Sequence, residues 1–457
     1  MQSTTAGKNR VSITAGILSF TALLITASTT ALALQPGDLD PTFGKGGKVI
    51  DQPGIIHSVA LQQDDKIVTL GEWGNSMVIA RYNPNGSPDI TFGSNGKVVT
   101  GISDYFINSN ASIAVQSDGK IVVAQGFDYD TDGNESDVVV RYNPNGSLDN
   151  TFGATGIVNL PWNIAFFALA VQPDGKIVVV GAGFTVVRYN QNGSFDTTFD
   201  GDGIVITNLG GNYDSAYAVA IQPDGKLVAA GRGLGGNSSS FYEFAVVRYN
   251  SDGSPDSTFG GDGIVTTGFG SCNQAFSQAF SASLQWDGKI VAAGYSYNNS
   301  TYDWALVRYN PDGSLDDTFD SDGKVITPVP STYYTGNQSV AIQKVGGITL
   351  ENLGRIVVSG TSFNGTTYHD FTLVRYNSNG SLDSTFGGGD GMAAVDFNNS
   401  SDVANGMVLD SRGHAVVVGE SDGAFALARF LLLVPRSTPP FKGDGKGAET
   451  QQLNKLF

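Results

Sequence analysis

The feature that most constrains the fold is a repeat that runs along most of the chain. The tripeptide Arg-Tyr-Asn occurs six times, and each Arg is followed by an Asp after eight residues and a Phe after eleven, as in Arg81, Asp89 and Phe92. The intervals between successive arginines are 60, 47, 60, 60 and 67 residues. One connection is therefore kept rigid while other loops change in length, which surface loops tolerate at low cost. The other arginines of the series are Arg141, Arg188, Arg248, Arg308 and Arg375.

Each unit contains four short runs of β-branched residues separated by turn residues, which predicts four strands. In one unit these runs begin at Lys97, Ile113, Lys120 and Val138. Asp118-Gly119 has the spacing of a two-residue hairpin, and we expect a type I′ turn there, with positive φ at both residues. No segment of the repeat region has a capped 3.6-residue period, so no helix is expected. Repeated four-stranded units predict an all-β fold, a β-propeller.

The two ends of the chain predict how the ring closes. A seventh unit reaches Phe430 but lacks the turn, the Thr-Phe pair and the strand that follow in the other units. These missing parts lie near the N-terminus, where Thr42-Phe43 precedes Lys48-Val49-Ile50. We therefore expect seven blades of four antiparallel strands, with the N-terminal strand completing the last blade. Such closure removes exposed sheet edges.

The segment 1–33 has the pattern of a secretory signal peptide. Lys8 and Arg10 precede an uncharged run that ends in Ala31-Leu32-Ala33, a basic start followed by an apolar stretch and small residues. An uncleaved membrane anchor is the alternative, because the run is about long enough to span a bilayer. We expect cleavage after Ala33 and export to the periplasm, cell surface or extracellular space, with no membrane span in the mature chain. The propeller is expected over 34–434, and 435–457 is expected to be a disordered tail.

Several motifs recur between Gly37 and Phe430: Arg-Tyr-Asn, Asp-Gly-Ser-Leu-Asp, Thr-Phe-Gly and Asp-Gly-Lys. In these motifs the chain resembles the delta-60 repeat family of bacterial exported proteins. The resemblance implies a β-propeller and export. It supplies no activity and no catalytic residues.

Composition excludes several classes of function. The formal net charge of −17 repels phosphate backbones and anionic lipid, so we expect no nucleic-acid partner. Cys272 is the only cysteine, which excludes an internal disulfide and a multi-cysteine metal site. The standard nucleophile and phosphate-binding motifs are also missing from the sequence. We expect a monomeric, non-catalytic binding or scaffold module; the alternative is a hydrolase or lyase with its site in the central channel.

The repeated Arg and Asp allow two interpretations. They could bind an anionic ligand around the ring, or they could form an ion pair that braces each turn. Repetition in every unit favours the structural ion pair.

One loop has the acidic spacing of a calcium site. In the segment from Asp128 to Gly133, Asp occupies the first, third and fifth positions and Gly the sixth. This spacing matches the start of a calcium-binding loop. Val139 stands where an EF-hand has its bidentate Glu, so an EF-hand is excluded. The sequence predicts calcium as a possible cofactor, with a solvated polar loop as the alternative. The candidate ligands are Asp128, Asp130, Asp132 and Asp137.

Loops before the fourth run of the units vary in length and are rich in aromatic and amide side chains. The step from Gly181 to Arg188 is seven residues, whereas that from Gly231 to Arg248 is seventeen. Exposed aromatic side chains there could stack on sugar rings or bind a partner protein. The alternative is that they cap the sheet edges. A glycan or protein partner is therefore expected at Tyr295, Tyr297, Tyr302, Trp304 and Tyr368.

Overall fold

The computed structural model confirms the seven-bladed β-propeller. It describes residues 33–74, 76–103, 111–126, 137–160, 164–234, 241–270, 276–297, 301–329, 339–342, 354–363 and 368–433. The strands form seven four-stranded antiparallel sheets, all within Gln35–Phe457. Every regular element in the described part of the chain is a strand, and these residues include no helix long and apolar enough to cross a membrane.

Each blade takes its four strands in chain order, apart from the last blade, whose fourth strand comes from near the N-terminus. Blades one to three are β2 (Ile55–Leu61), β3 (Ile67–Trp73), β4 (Ser76–Tyr82), β5 (Lys97–Ser103); β6 (Ala111–Val115), β7 (Ile121–Gln125), β8 (Val138–Tyr142), β9 (Ile157–Asn159); and β10 (Phe166–Val171), β11 (Ile177–Gly181), β12 (Thr185–Tyr189), β13 (Ile204–Ile206). Blades four and five are β14 (Ser215–Ile221), β15 (Leu227–Leu234), β16 (Tyr242–Tyr249), β17 (Ile264–Thr267); and β18 (Phe276–Leu284), β19 (Ile290–Tyr297), β20 (Tyr302–Tyr309), β21 (Lys324–Thr327). Blades six and seven are β22 (Ser339–Ile342), β23 (Ile356–Phe363), β24 (His369–Tyr376), β25 (Met392–Val395); and β26 (Asp402–Leu409), β27 (Ala415–Ser421), β28 (Ala424–Phe430), β1 (Lys48–Pro53).

The first strands of the blades contact one another in a closed circle, from β2 through β6, β10, β14, β18, β22 and β26 back to β2. They surround the central channel. We call the end of the ring with the short turns between first and second strands the hairpin end. The opposite end, where second strands run into the loops that lead to third strands, is the loop end.

The ring closes through strand β1, as predicted. Strand β1 pairs antiparallel with β28, with Lys48 opposite Ala428 and Ile50 opposite Ala426. Hydrogen bonds continue the seam toward the chain ends, since Gly37 N donates to Leu431 O at 2.7 Å and Leu431 N donates to Asp38 O at 2.8 Å.

The apolar core consists of seven separate layers, each between two neighbouring blades. Every second and third strand therefore has two buried faces. This explains why those strands are continuous apolar runs in the sequence, without the alternation of a sheet that has one face in water.

The repeated arginine joins each blade to the next. Arg188 Nε donates to Asp196 Oδ2 at 2.6 Å within its own blade, and its Nη1 donates to Ser251 O of the following blade at 2.6 Å. Seven arginines, Arg188 included, make this pair of bonds. The last of them, Arg429, donates to Asp40 Oδ2 and to Pro84 O, and so joins the last blade to the first. The other five arginines are Arg81, Arg141, Arg248, Arg308 and Arg375, which donate to the carbonyls of Pro144, Gln191, Pro311, Ser378 and Leu432.

Six of the seven arginines also stack on the Phe that follows eleven residues later; for Arg188 the guanidinium carbon lies 4.4 Å from the centroid of the Phe199 ring. Arg429 stacks in the same way on Phe43, which comes from near the N-terminus. Each paired aspartate receives further bonds: Thr91 N and Oγ1 both donate to Asp89 Oδ1. Burial alone would raise the pKa of Asp89, but the hydrogen bonds from Thr91 and the charges of Arg81 and Lys66 outweigh it and lower the pKa from 3.8 to about 2. The structural interpretation of the Arg and Asp repeat is therefore confirmed.

The hairpin at Asp118-Gly119 differs from the expected type I′ turn. Gly119 has a φ of 81°, but Asp118 is not among the residues with positive φ. Gly119 N donates to Gln116 O, and Gln116 N donates to Lys120 O, which is the pattern of a three-residue loop with a bulge at the glycine. A loop of this kind needs only one residue with positive φ. In the corresponding hairpin of blade one this residue is Asp65, with a φ of 60°.

Neighbouring blades are also joined through a tyrosine hydroxyl. Tyr249 Oη lies 2.6 Å from the Oγ1 of Thr207, the residue directly after the last strand of the preceding blade. In blade three the equivalent tyrosine is Tyr189, and the residue of blade two that corresponds to Thr207 is the apolar Leu160. The buried Tyr189 hydroxyl therefore has no hydrogen-bond partner among the described residues. In the last blade Phe430 replaces the Tyr, and its counterpart is the apolar Val395.

Removal of the closing strand tests the seam. We expect deletion of residues 34–50 to lower the melting temperature sharply, because the edge of β28 and one side of two core layers become exposed. Differential scanning calorimetry of the chain 34–457 with and without residues 34–50 measures the effect. An unchanged melting temperature would show that the ring is stable while open.

A pair of matched variants tests the tyrosine contact. Tyr249→Phe leaves the Thr207 hydroxyl buried without a partner, so the free energy of unfolding should fall by about 1–2 kcal/mol. Tyr189→Phe removes a hydroxyl that has no hydrogen-bond partner among the described residues, so it should leave stability unchanged or raise it. Denaturant unfolding compares the two variants, and equal losses would argue against the contact.

Candidate functional site

Five first strands carry a β-bulge that adds one unpaired residue. The register with the second strand shifts between Ile56 and Ser58 in blade one, and at the equivalent step in blades three, four, five and seven. A bulge directs an extra side chain away from the regular pleat and is common beside active sites. The residues inserted in this way are His57, Phe167, Tyr217, Phe280 and Asn405.

All five inserted residues line one cavity, which has a volume of about 220 Å³ and lies among the first strands in the central channel. In each of the five strands four residues follow the inserted one, and the residues directly after the insertions, such as Ser58 and Val59, also line the cavity, so it lies within the channel. Ala111 of blade two also lines it. We call the five inserted residues the bulge ring.

One side of the bulge ring is aromatic. The Phe167 and Tyr217 ring centroids are 4.7 Å apart, and those of Tyr217 and Phe280 are 5.4 Å apart. These residues come from three successive blades, so they form a continuous surface. Phe167 and Tyr217 are half-buried, whereas Phe280 is 8% exposed.

The other side of the bulge ring is polar. Asn405 Nδ2 donates to Ile56 O of the adjacent blade at 2.9 Å. His57 Nε2 lies 3.6 Å from Glu72 Oε2, and the His57 side chain is buried. Glu420 lies close by: burial raises its pKa, the charge of His57 opposes that rise and the charge of Glu72 adds to it. A histidine and two carboxyl groups with different environments can donate and accept protons.

The bulge ring has a fixed position in the repeat that sequence analysis did not use. Each member lies five residues before the first residue of the hairpin turn, which is Gln62, Gln172, Gln222, Gln285 or Asp410. The chemistry at this position changes from blade to blade while the surrounding motif is kept. That contrast was available in the sequence, but only the bulged register shows that these side chains point into the channel.

The predicted aromatic residues do not form an exposed row. Trp304 is 1% exposed and packs in the core layer between blades five and six. Tyr295 is 5% exposed, with its centroid 5.6 Å from that of the channel residue Phe280. These two positions correct the expectation of exposed aromatics, because both side chains lie in contacts within and between blades. Tyr297 and Tyr302 are half-buried and pack on each other at 4.7 Å, while Tyr368 is exposed.

Of the predicted calcium ligands, Asp128, Asp130 and Asp132 lie outside the described residues. Asp137 is fully buried at the start of blade two's third strand, and its Oδ2 accepts a hydrogen bond from Ile164 N at 2.7 Å. One of its oxygens is therefore already used by the backbone. The calcium site stays a prediction.

Another group of carboxylates has oxygen atoms within 4.8 Å of one another: Asp370, Asp396 and Asp402. Asp402 is fully buried and accepts hydrogen bonds from Phe397 N and Ser400 Oγ. Burial raises its pKa, and the charge of Asp396 adds to the rise. Its bonds brace the turn before β26.

Comparison with protein families supports the architecture. Six segments match the model described as "Domain of unknown function (DUF5122) beta-propeller": 62–92, 116–152, 172–199, 222–259, 285–319 and 354–386. The chain is a β-propeller repeat protein. The matched segments contain the Arg, Asp and Phe positions of six blades, and the bulge ring lies outside them. The shared part of this propeller is thus its scaffold.

No curated protein matches the sequence. Among solved structures, an ulvan lyase of polysaccharide lyase family PL25, bound to a GlcA-Rha3S saccharide, is similar at 11% identity and a TM-score of 0.52, covering 87% of this chain and 95% of that chain. A catalytically inactive virginiamycin B lyase from Staphylococcus aureus has 12% identity and a TM-score of 0.47, covering 84% and 98%. The β-propeller domain of the trilobed protease from Pyrococcus furiosus has 10% identity and a TM-score of 0.41, covering 83% and 96%. The first similarity shows the propeller fold alone.

Proposed function

We propose that this propeller is an exported binding module that holds a sugar ring of a glycan within its central channel. The observation that carries the proposal is the bulge ring, in which Phe167, Tyr217 and Phe280 form one aromatic surface beside polar residues. The apolar face of a sugar stacks on such rings, while its hydroxyl groups need polar partners like those on the opposite side. We further propose that the repeats are of the delta-60 type.

The size of the cavity supports one ring rather than a buried oligosaccharide. A volume of about 220 Å³ is below the roughly 300–1,000 Å³ of typical pockets for drug-sized ligands. The rest of a longer glycan would lie over the loop end, near Tyr297, Tyr302 and Tyr368. A protein partner that inserts one side chain into the same cavity is the other form of this proposal.

A second function rests on the polar side of the ring. His57 and Glu72 form a close pair, and the pKa of the half-buried Glu420 is raised by its burial. These groups could act as base and acid in a hydrolase or lyase that uses the same cavity. In that case the glycan is a substrate, and the aromatic surface positions it.

The two functions share one experiment. The mature chain, residues 34–457, is screened on a glycan array, and the ligands found are measured by calorimetry. Tyr217→Ala should weaken binding about 10-fold or more, because the central ring of the aromatic surface is lost. The matched control is Trp286→Ala, which removes an aromatic side chain that is 83% exposed at the hairpin end. Equal binding by both variants would contradict a site in the channel.

The same ligands distinguish binding from catalysis. Incubation with the wild-type chain, followed by chromatography, should return the glycan intact if the protein is a binding module. Cleavage that is lost in His57→Gln, while calorimetry still detects binding, would establish the enzyme instead.

Calcium is proposed as a stabilising ion in the loop from Asp128 to Asp137. Millimolar calcium should raise the melting temperature above that measured in EDTA, because an ion that binds only the folded state stabilises it. Asp130→Ala should abolish this rise, whereas Asp118→Ala, an exposed carboxylate of the same blade, should retain it. No difference between calcium and EDTA would rule out this site.

A further inference from the structure

Arg232 differs from the other arginines that the structure describes. The seven repeat arginines are each bonded to an aspartate, Arg355 pairs with Asp383, and Arg412 pairs with Asp410. Among the described residues, no carboxylate oxygen lies within 4 Å of the Arg232 guanidinium. Arg232 is therefore a cation without an ionic partner in this part of the chain.

The surroundings of Arg232 hold its guanidinium in place without neutralising it. Its Nε donates to Tyr213 O at 2.8 Å, and its Nη1 donates to Gln278 Oε1 of the next blade at 3.1 Å. The guanidinium carbon lies 5.3 Å from the Tyr242 ring centroid and 6.0 Å from that of Phe276. Both oxygen partners are neutral, and Nη2 donates to no described residue.

This cation lies beside the proposed binding site. The guanidinium carbon is 5.7 Å from the ring centroid of Tyr217, the central member of the aromatic surface. Arg232 itself is half-buried, so part of it faces solvent. A charged substituent on a sugar stacked against Tyr217 would be within reach of Nη2.

The net charge of the protein makes an unpaired cation important for the binding of an anionic ligand. The formal net charge is −17, so an anionic ligand is repelled by the molecule as a whole. A cation that is fixed locally and is not already paired offsets this repulsion. A guanidinium with free donors is well suited to this, since it bonds carboxylate or sulfate oxygens in a planar, charge-assisted geometry.

We propose that Arg232 binds a carboxylate or sulfate group of the ligand, so that the glycan held by the bulge ring is an acidic one. This inference rests on the proposed function and narrows it to a class of ligand. The negative group pairs with Arg232, and the sugar that carries it stacks on Tyr217.

Matched probes with and without the charge provide the test. The carboxylate arm compares oligogalacturonate with its methyl ester, and the sulfate arm compares a carrageenan oligosaccharide, whose only acidic groups are sulfates, with its desulfated form. Each probe is titrated into wild type, Arg232→Gln and Arg232→Lys by calorimetry. Arg412→Gln is the control, because it removes one positive charge at the hairpin end, where the Arg412 side chain is 52% exposed.

We expect at least one acidic probe to bind about 10-fold or more tightly than its neutral form, and Arg232→Gln to remove that preference. Arg232→Lys should retain part of it, and Arg412→Gln all of it. The preference should also fall as salt is raised.

Three results would overturn the inference. If neutral and acidic probes bind equally and both need Tyr217, the binding site stands but its ligand class is wrong. If Arg232→Gln weakens both members of a pair equally and lowers the melting temperature, Arg232 only braces Tyr213 and Gln278. If no probe binds in a manner that depends on Tyr217, the proposed function fails as well.

Discussion

The buried guanidinium of the repeated arginine is bonded to two blades at once, and the ring depends on this contact. Its Nε bonds an aspartate of its own blade and its Nη1 bonds a carbonyl of the next, as Arg188 does with Asp196 and Ser251. A buried arginine that lost its aspartate would leave an uncompensated charge, which is strongly destabilising. The contact therefore fixes both the internal turn and the angle between blades. Seven copies make that angle uniform, so the ring can close.

A uniform scaffold leaves the inner edge of each blade free to vary. The core layers consist mainly of residues of the second and third strands, and the arginine near the end of each third strand bonds groups in the turns that follow third strands. The first strand contributes a bulged residue that neither set of contacts requires, which is why a histidine, an asparagine and aromatic residues can occupy equivalent places. The side chains that differ from blade to blade lie together in the channel because all seven first strands surround it.

The expectation of exposed aromatic side chains, which relied on loop length alone, was wrong for Tyr295 and Trp304. Tyr295 and Trp304 belong to long, aromatic-rich strand ends, but alternate residues of those ends turn toward neighbouring blades and are buried. An alternating strand that is covered on both faces gives no sign in its sequence of which face lies beside the channel. Tyr295 still contributes indirectly, since it supports Phe280 from behind.

What the sequence determined by itself is the scaffold: the number of blades, the four strands in each, the closure by residues 37–50, and the pairing of each Arg with the Asp eight residues later. These follow from spacings within one unit or between the two ends, which repetition makes visible. The tertiary structure alone decided which side chains share the channel. His57, Tyr217 and Asn405 are far apart in the chain, and each was brought there by a one-residue bulge and by closure of the ring. The arginine motif is visible in the sequence, but the carbonyl that its Nη1 bonds belongs to the next blade. The direction of the bulged side chains, like the angle between blades, is therefore decided by the packing of one blade against the next.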